Sequence, residues 1–176
     1  ILRLKIDSLV IGKMIGMAEV GIYGIAATLV NYMLSVVVAG MGVLTPRFAA
    51  LDGAESSGEL KATFLKALSI SSCIAWGVAL LLVLFGRSFV YLWVGRDFAA
   101  AVPVLSILAV SYGFALSQTP GIGLMYALNK HRYYAAVTML EAIANVCLSI
   151  LLASRYGIIG VALGTAIPML VVKIFV

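Results

Sequence analysis

Apolar residues run in long blocks along this chain, and polar residues collect in short intervals between them. The clearest block, 67–85, holds no charged residue. A helix that crosses a hydrocarbon core about 30 Å thick needs roughly 20 mostly apolar residues. The blocks therefore predict helices over about 2–15, 20–44, 63–85, 99–128, 133–153 and 158–176, with the fourth kinked near Pro120. Thr45-Pro46 closes the second, because the residue before a proline is pushed out of the helical region. Gly86 and Arg87 stop the third. The interval 51–61 (LDGAESSGELK) is the one plainly aqueous loop. Residues 88–98 carry Phe89, Tyr91, Trp93 and Phe98, which predicts a brief interfacial helix ended by Gly95, since half-wet aromatic rings favour the headgroup level. At Pro120 a donor is lost and the preceding turn is crowded, and in lipid the freed carbonyl must be satisfied. The kink is thus expected to face a bundle interior or a cavity. The fold expected is an all-α membrane protein, a six-helix transmembrane bundle forming a single lobe over 1–176.

Composition agrees with the blocks. The chain is 64% hydrophobic and 11% charged, against about 25% charged residues in an ordinary soluble domain. Its mean hydropathy is +1.16. The net charge of +5 is scattered between the apolar blocks and forms no stripe suited to nucleic acid. Arg3, Lys5, Arg47, Lys61, Lys66, Lys130, Arg132 and Lys173 fall towards one face, and Lys13, Arg87, Arg96 and Arg155 towards the other. The richer face is expected to be cytoplasmic. Both ends read as cut, so the chain is expected to be part of a longer membrane protein.

Charged and amide side chains inside apolar helices are the candidates for function, because each costs roughly 2.5–3.5 kcal/mol at a helix centre and so tends to face an interior or a pathway. Glu141 and Asn145 stand one turn apart on one helix face. They form either a cavity-facing pair that binds a proton, an ion or a sugar hydroxyl, or an interhelical hydrogen bond that holds the bundle. Arg3 and Asp7 share another face, with Lys5 between them. They form either a cationic lining for an anionic head group, with Asp7 orienting Arg3, or a helix end with snorkelling side chains. Asn31, Tyr32 and Ser35 make a polar spot on the second helix. No metal or cofactor is expected, because a lone His131 and two helix-borne cysteines, Cys73 and Cys147, do not make a ligand set. The scarcity of histidine and of clustered carboxylates gives acid–base chemistry few candidates, so the chain is not expected to be an enzyme.

Several motifs resemble one family. The stretch from Ile6-Asp7-Ser8 to Gly12, followed by Val20-Gly21-Ile22-Tyr23 through Ala27, resembles the D-x-x-hydrophobic-I-G … V-G-x-Y-x-x-A pattern of polysaccharide flippases in the multidrug/oligosaccharidyl-lipid/polysaccharide exporter superfamily. Leu92-Trp93-Val94-Gly95 is similar to its L-W-x-G turn, and Ala127-Leu128-Asn129-Lys130 to its A-x-N/G-K helix end. Glu141, Asn145, Leu148 and Ser149 are similar to its E-x-x-x-N-x-x-L-S helix, and the run from Tyr156-Gly157 to Thr165 to its Y-G-x-x-G-x-A-x-x-T signature. The resemblance implies one lobe, the C-terminal six-helix lobe, of a two-lobed exporter in the inner (plasma) membrane of a bacterium or archaeon. It implies flipping of lipid-linked oligosaccharide or polysaccharide precursors, such as undecaprenyl-linked sugars, by alternating access. The partners implied are the lipid-linked glycan, membrane lipid and an N-terminal lobe of the same polypeptide, with no nucleic acid. Among the substrate-binding candidates, Arg3, Lys5, Asp7, Glu141 and Asn145 sit at matching places, and Asn31 joins them from the polar spot. A drug/cation antiporter of the same superfamily and a membrane-embedded glycan or lipid enzyme are the competing classes.

Overall fold

A computed structural model describes residues 2–42, 44–53 and 57–175 of the chain. Among the described residues it is helical, with no strand. The elements are α1 (Leu2–Met14), α2 (Met17–Met41), α3 (Leu44–Gly53), α4 (Ser57–Trp93), a 3-10 turn (Arg96–Phe98), α5 (Ala101–Ser117), α6 (Thr119–Ala127) and α7 (His131–Phe175). Among the described residues, four stretches are long and apolar enough to cross a membrane by length and composition: Met17–Asp52, Gly58–Trp93, Ala101–Ala127 and Arg132–Lys173.

The last of these folds back on itself. Gly157 adopts φ 56°, ψ −138° inside α7, a left-handed backbone state that side chains with a Cβ rarely enter. The arms 131–156 and 158–175 consequently run antiparallel. They approach so closely that a Cβ on Gly164 would stand 2.5 Å from Ser149 Cα. Small residues permit such backbone contact where lipid supplies no hydrophobic drive between helices.

At the centre lies α5, buried along Val104, Leu105, Leu108, Ala109, Tyr112 and Leu116. It packs against α4, α2 and α7, while α1 lies against α7 and α2. Among the described side chains of α1, Leu4, Asp7 and Ile11 are buried, at helical spacing.

Three helix boundaries differ from the sequence expectation. First, α4 is 37 residues long, about 55 Å at 1.5 Å per residue, and so overshoots a hydrocarbon core of about 30 Å. Gly86 does not stop it. That residue is buried against Leu105 of α5, where the missing side chain serves close packing. The expected interfacial helix is therefore the last turns of α4, closed by Gly95 at φ 99°. Second, most of the expected aqueous loop is helical, as the end of α3 and the start of α4, and residues 54–56 of it lie outside the described residues. Third, Pro46 does not end α2, which closes at Met41. Pro46 sits in the first turn of α3, where its missing N–H has no intrahelical partner to lose.

Candidate functional site

The helices α1, α2 and α7 meet along a seam of buried polar side chains. Asp7 of α1 is fully buried, as is Tyr23 of α2. The Tyr23 hydroxyl donates to Asp7 Oδ2 at 2.7 Å, and the Thr165 hydroxyl, from the second arm of α7, donates to the same oxygen at 2.7 Å. Thr165 Oγ1 in turn accepts from Asn145 Nδ2 at 2.8 Å, across the two arms of the hairpin. One chain of hydrogen bonds thus ties together three helices and both arms. Its donors replace part of the hydration that a carboxyl group loses on leaving water.

The arms themselves place this row. Glu141, Asn145 and Ser149 recur every fourth residue and are all buried, so they form one face of the first arm. Opposite them run Val161, Thr165, Met169 and Lys173, also buried. The Asn145–Thr165 bond and the weaker contact of Ser149 Oγ to Val161 O at 3.4 Å set the register. That register puts Glu141 level with Met169, one turn from Lys173. Lys173 Nζ lies 5.0 Å from the centre of the Tyr134 ring, a cation–π contact. The seam therefore holds acidic groups at Asp7 and Glu141 and a basic one at Lys173.

The expected site residues separate into groups. Asp7 and Asn145 join one network, and Glu141 extends its row by a turn. Lys5 is exposed on α1, outside the network. Arg3 lies on α1, and its side chain is outside the described residues. Hydroxyls of Tyr23 and Thr165 both donate to Asp7 Oδ2. Asn31 sits two turns beyond Tyr23 on α2, half-buried, and its Oδ1 is enclosed without a hydrogen-bond partner among the described residues. It is separate from the seam. Sequence reasoning did not select Tyr23 or Thr165 as site residues, although both stand inside the quoted motifs. A hydroxyl on an apolar helix usually bonds its own backbone, and nothing local in the sequence shows that residue 165 meets residue 7.

A second polar region surrounds the break between α5 and α6. Pro120 is buried and has no N–H to give Leu116 O, its helical partner four residues back. That carbonyl instead accepts from Thr119 Oγ1 at 2.7 Å and from Ser71 Oγ of α4 at 2.9 Å. Gln118 Nε2 donates to Lys173 O at 2.9 Å. Gln118 and Gly121 also border a cavity of about 420 Å³ shared with Phe64, Leu68, Met125 and Lys173. Irregular backbone at membrane depth thus finds its partners within the protein.

Membrane-length helices packed around buried polar side chains define a helical membrane bundle. Residues 1–103 match the family described as polysaccharide biosynthesis protein, and the chain belongs to that family. The match supports the polysaccharide-exporter resemblance carried by the motifs at 6–12 and 20–27. Neither the curated proteins nor the solved structures yield a match.

Proposed function

We propose that the chain forms one six-helix lobe of a two-lobed exporter in the cell inner membrane, and that the two lobes flip lipid-linked oligosaccharide or polysaccharide precursors by alternating access. The six rods are α1, α2, α4, the broken α5–α6 pair and the two arms of α7. A second lobe on the same polypeptide completes the passage. The observation that carries this reading is membership of the polysaccharide biosynthesis family by a chain built of membrane-length helices. The role is transport, not catalysis.

The physical task is clear. An ionised sugar-diphosphate head loses its solvation in hydrocarbon, so it needs a polar passage while its lipid tail stays in the bilayer. Moving two negative charges outward through an inside-negative potential of about 100 mV releases about 4–5 kcal/mol, which favours export. Rocking of one lobe against the other requires each to move as a body. The Asp7–Tyr23–Thr165–Asn145 network suits that need, because it fastens α1 and α2 to the α7 hairpin. Glu141 is the candidate for ion coupling.

The test is reconstitution of the full-length protein in proteoliposomes with an undecaprenyl-diphosphate-linked fluorescent oligosaccharide. Export is read as loss of access to a membrane-impermeant quencher. Protein-dependent flipping supports the reading. Transport of small organic cations with no movement of the glycan overturns it in favour of an antiporter. In the same assay Glu141→Gln should flatten the pH dependence of the rate, and an unchanged profile removes Glu141 from proton coupling.

A further inference from the structure

We propose that the open cavity bordered by α2, α3 and α4 binds the phosphate-bearing headgroup of an anionic lipid. The cavity measures about 500 Å³. Arg47 lines it from α3, and Thr63 and Lys66 line it from α4; among the described residues no acidic one borders it. A guanidinium fork and an ammonium point charge are the two groups that hold phosphate oxygens best. Below the cations the lining turns apolar through Met41, Leu44 and Ile70.

The setting favours a lipid over a soluble anion. Lys66 immediately precedes the charge-free block 67–85, so the two cations stand where α4 enters the hydrocarbon. Ile70, one turn deeper, is 45% exposed, and the apolar lining therefore opens onto the lipid-facing surface. An acyl chain could run down that surface while its phosphate meets Arg47 and Lys66. The sequence also assigns both cations to the face expected to be richer in Lys and Arg. The backbone beside Arg47 is anchored to α4, since Phe48 is fully buried and its ring lies 6.3 Å from that of Phe64. The site requires only that the bundle sits in a membrane, so it stands or falls apart from the transport reading.

Native mass spectrometry of the full-length protein, released from bilayers of equal phosphatidylglycerol and phosphatidylcholine, tests it. The protein is expected to retain phosphatidylglycerol in preference. Arg47→Gln and Lys66→Gln should each cut that preference about five-fold, since a basic side chain near the surface is worth about 1 kcal/mol towards anionic lipid. Ala62→Phe, which fills the cavity and leaves both charges, should abolish it. Lys13→Gln with Arg155→Gln, at the opposite face, should leave it unchanged. Arg47→Lys with Lys66→Arg, which keeps charge and bulk, should retain it; its loss there would mark a packing effect and overturn the proposal. So would an unchanged preference in the charge-removing and cavity-filling variants. Competition by inorganic diphosphate that displaces the lipid at equal concentration would assign the cavity to a soluble anion and overturn it as well.

Discussion

The seam between α1, α2 and α7 and the break between α5 and α6 both put hydrogen-bonding side chains at membrane depth, but for different ends. At the break, Ser71 and Thr119 bond to Leu116 O, a carbonyl that Pro120 leaves without its helical donor. Gln118 likewise bonds to a backbone carbonyl, that of Lys173. Such side chains repair the main chain and need no other role. At the seam, Asp7, Tyr23, Thr165 and Asn145 bond to one another. No broken helix requires Asp7 or Glu141, and burying either is costly. The difference separates polar residues that a kink demands from those that stay at a net cost, and it directs the search for function to the seam.

Substitutions at five positions sharpen or break that contrast. The largest effect is expected for Gly164→Leu, whose Cβ would meet Ser149 backbone atoms at 2.5 Å. The arms could not close, and the loss should reach or exceed about 3 kcal/mol, read as lost thermal stability or lost folded protein in detergent. Next comes Asp7→Ala, which strands two buried hydroxyls and should cost about 2 kcal/mol. Asp7→Asn keeps an acceptor, so it should cost less. If Asp7→Asn is stable and glycan flipping fails, the seam does more than fasten helices; if flipping survives, the seam is a fastener.

Ser71→Ala should cost about 1 kcal/mol, as one of two side-chain donors to Leu116 O disappears. The informative arm is Pro120→Ala, which returns a backbone N–H to that carbonyl. In its background the Ser71→Ala penalty should shrink, giving a coupling measurable by a double-mutant thermal cycle. Full additivity would show that Ser71 is not repairing the break. The smallest effect belongs to Lys5→Gln, outside the network, with a stability change within about 0.5 kcal/mol.

Much of the all-helical architecture was legible from the apolar blocks, because a helix in lipid must satisfy its backbone internally and so advertises itself by length and apolarity. Helix ends were less legible. Gly86-Arg87 and the polar interval 51–61 mark where the chain leaves hydrocarbon, and α4 continues as a helix through both boundaries because nothing at a membrane surface obliges a helix to stop. Of the site, Asp7, Glu141 and Asn145 could be found one at a time as costly polar residues in apolar helices. Tyr23 and Thr165 could not, since hydroxyls are cheap to bury and common in such helices.

The sequence alone determined that this chain lies in a membrane, which side chains are expensive there, and which family's motifs it carries. Only the tertiary structure decided that Asp7 is clasped by Tyr23 and Thr165. That pairing depends on the turn at Gly157 bringing the second arm back beside the first, and on α1 lying against the hairpin. Local spacing fixes which residues share a helix face, but which faces meet is set by packing between helices distant in sequence, and no local pattern encodes it.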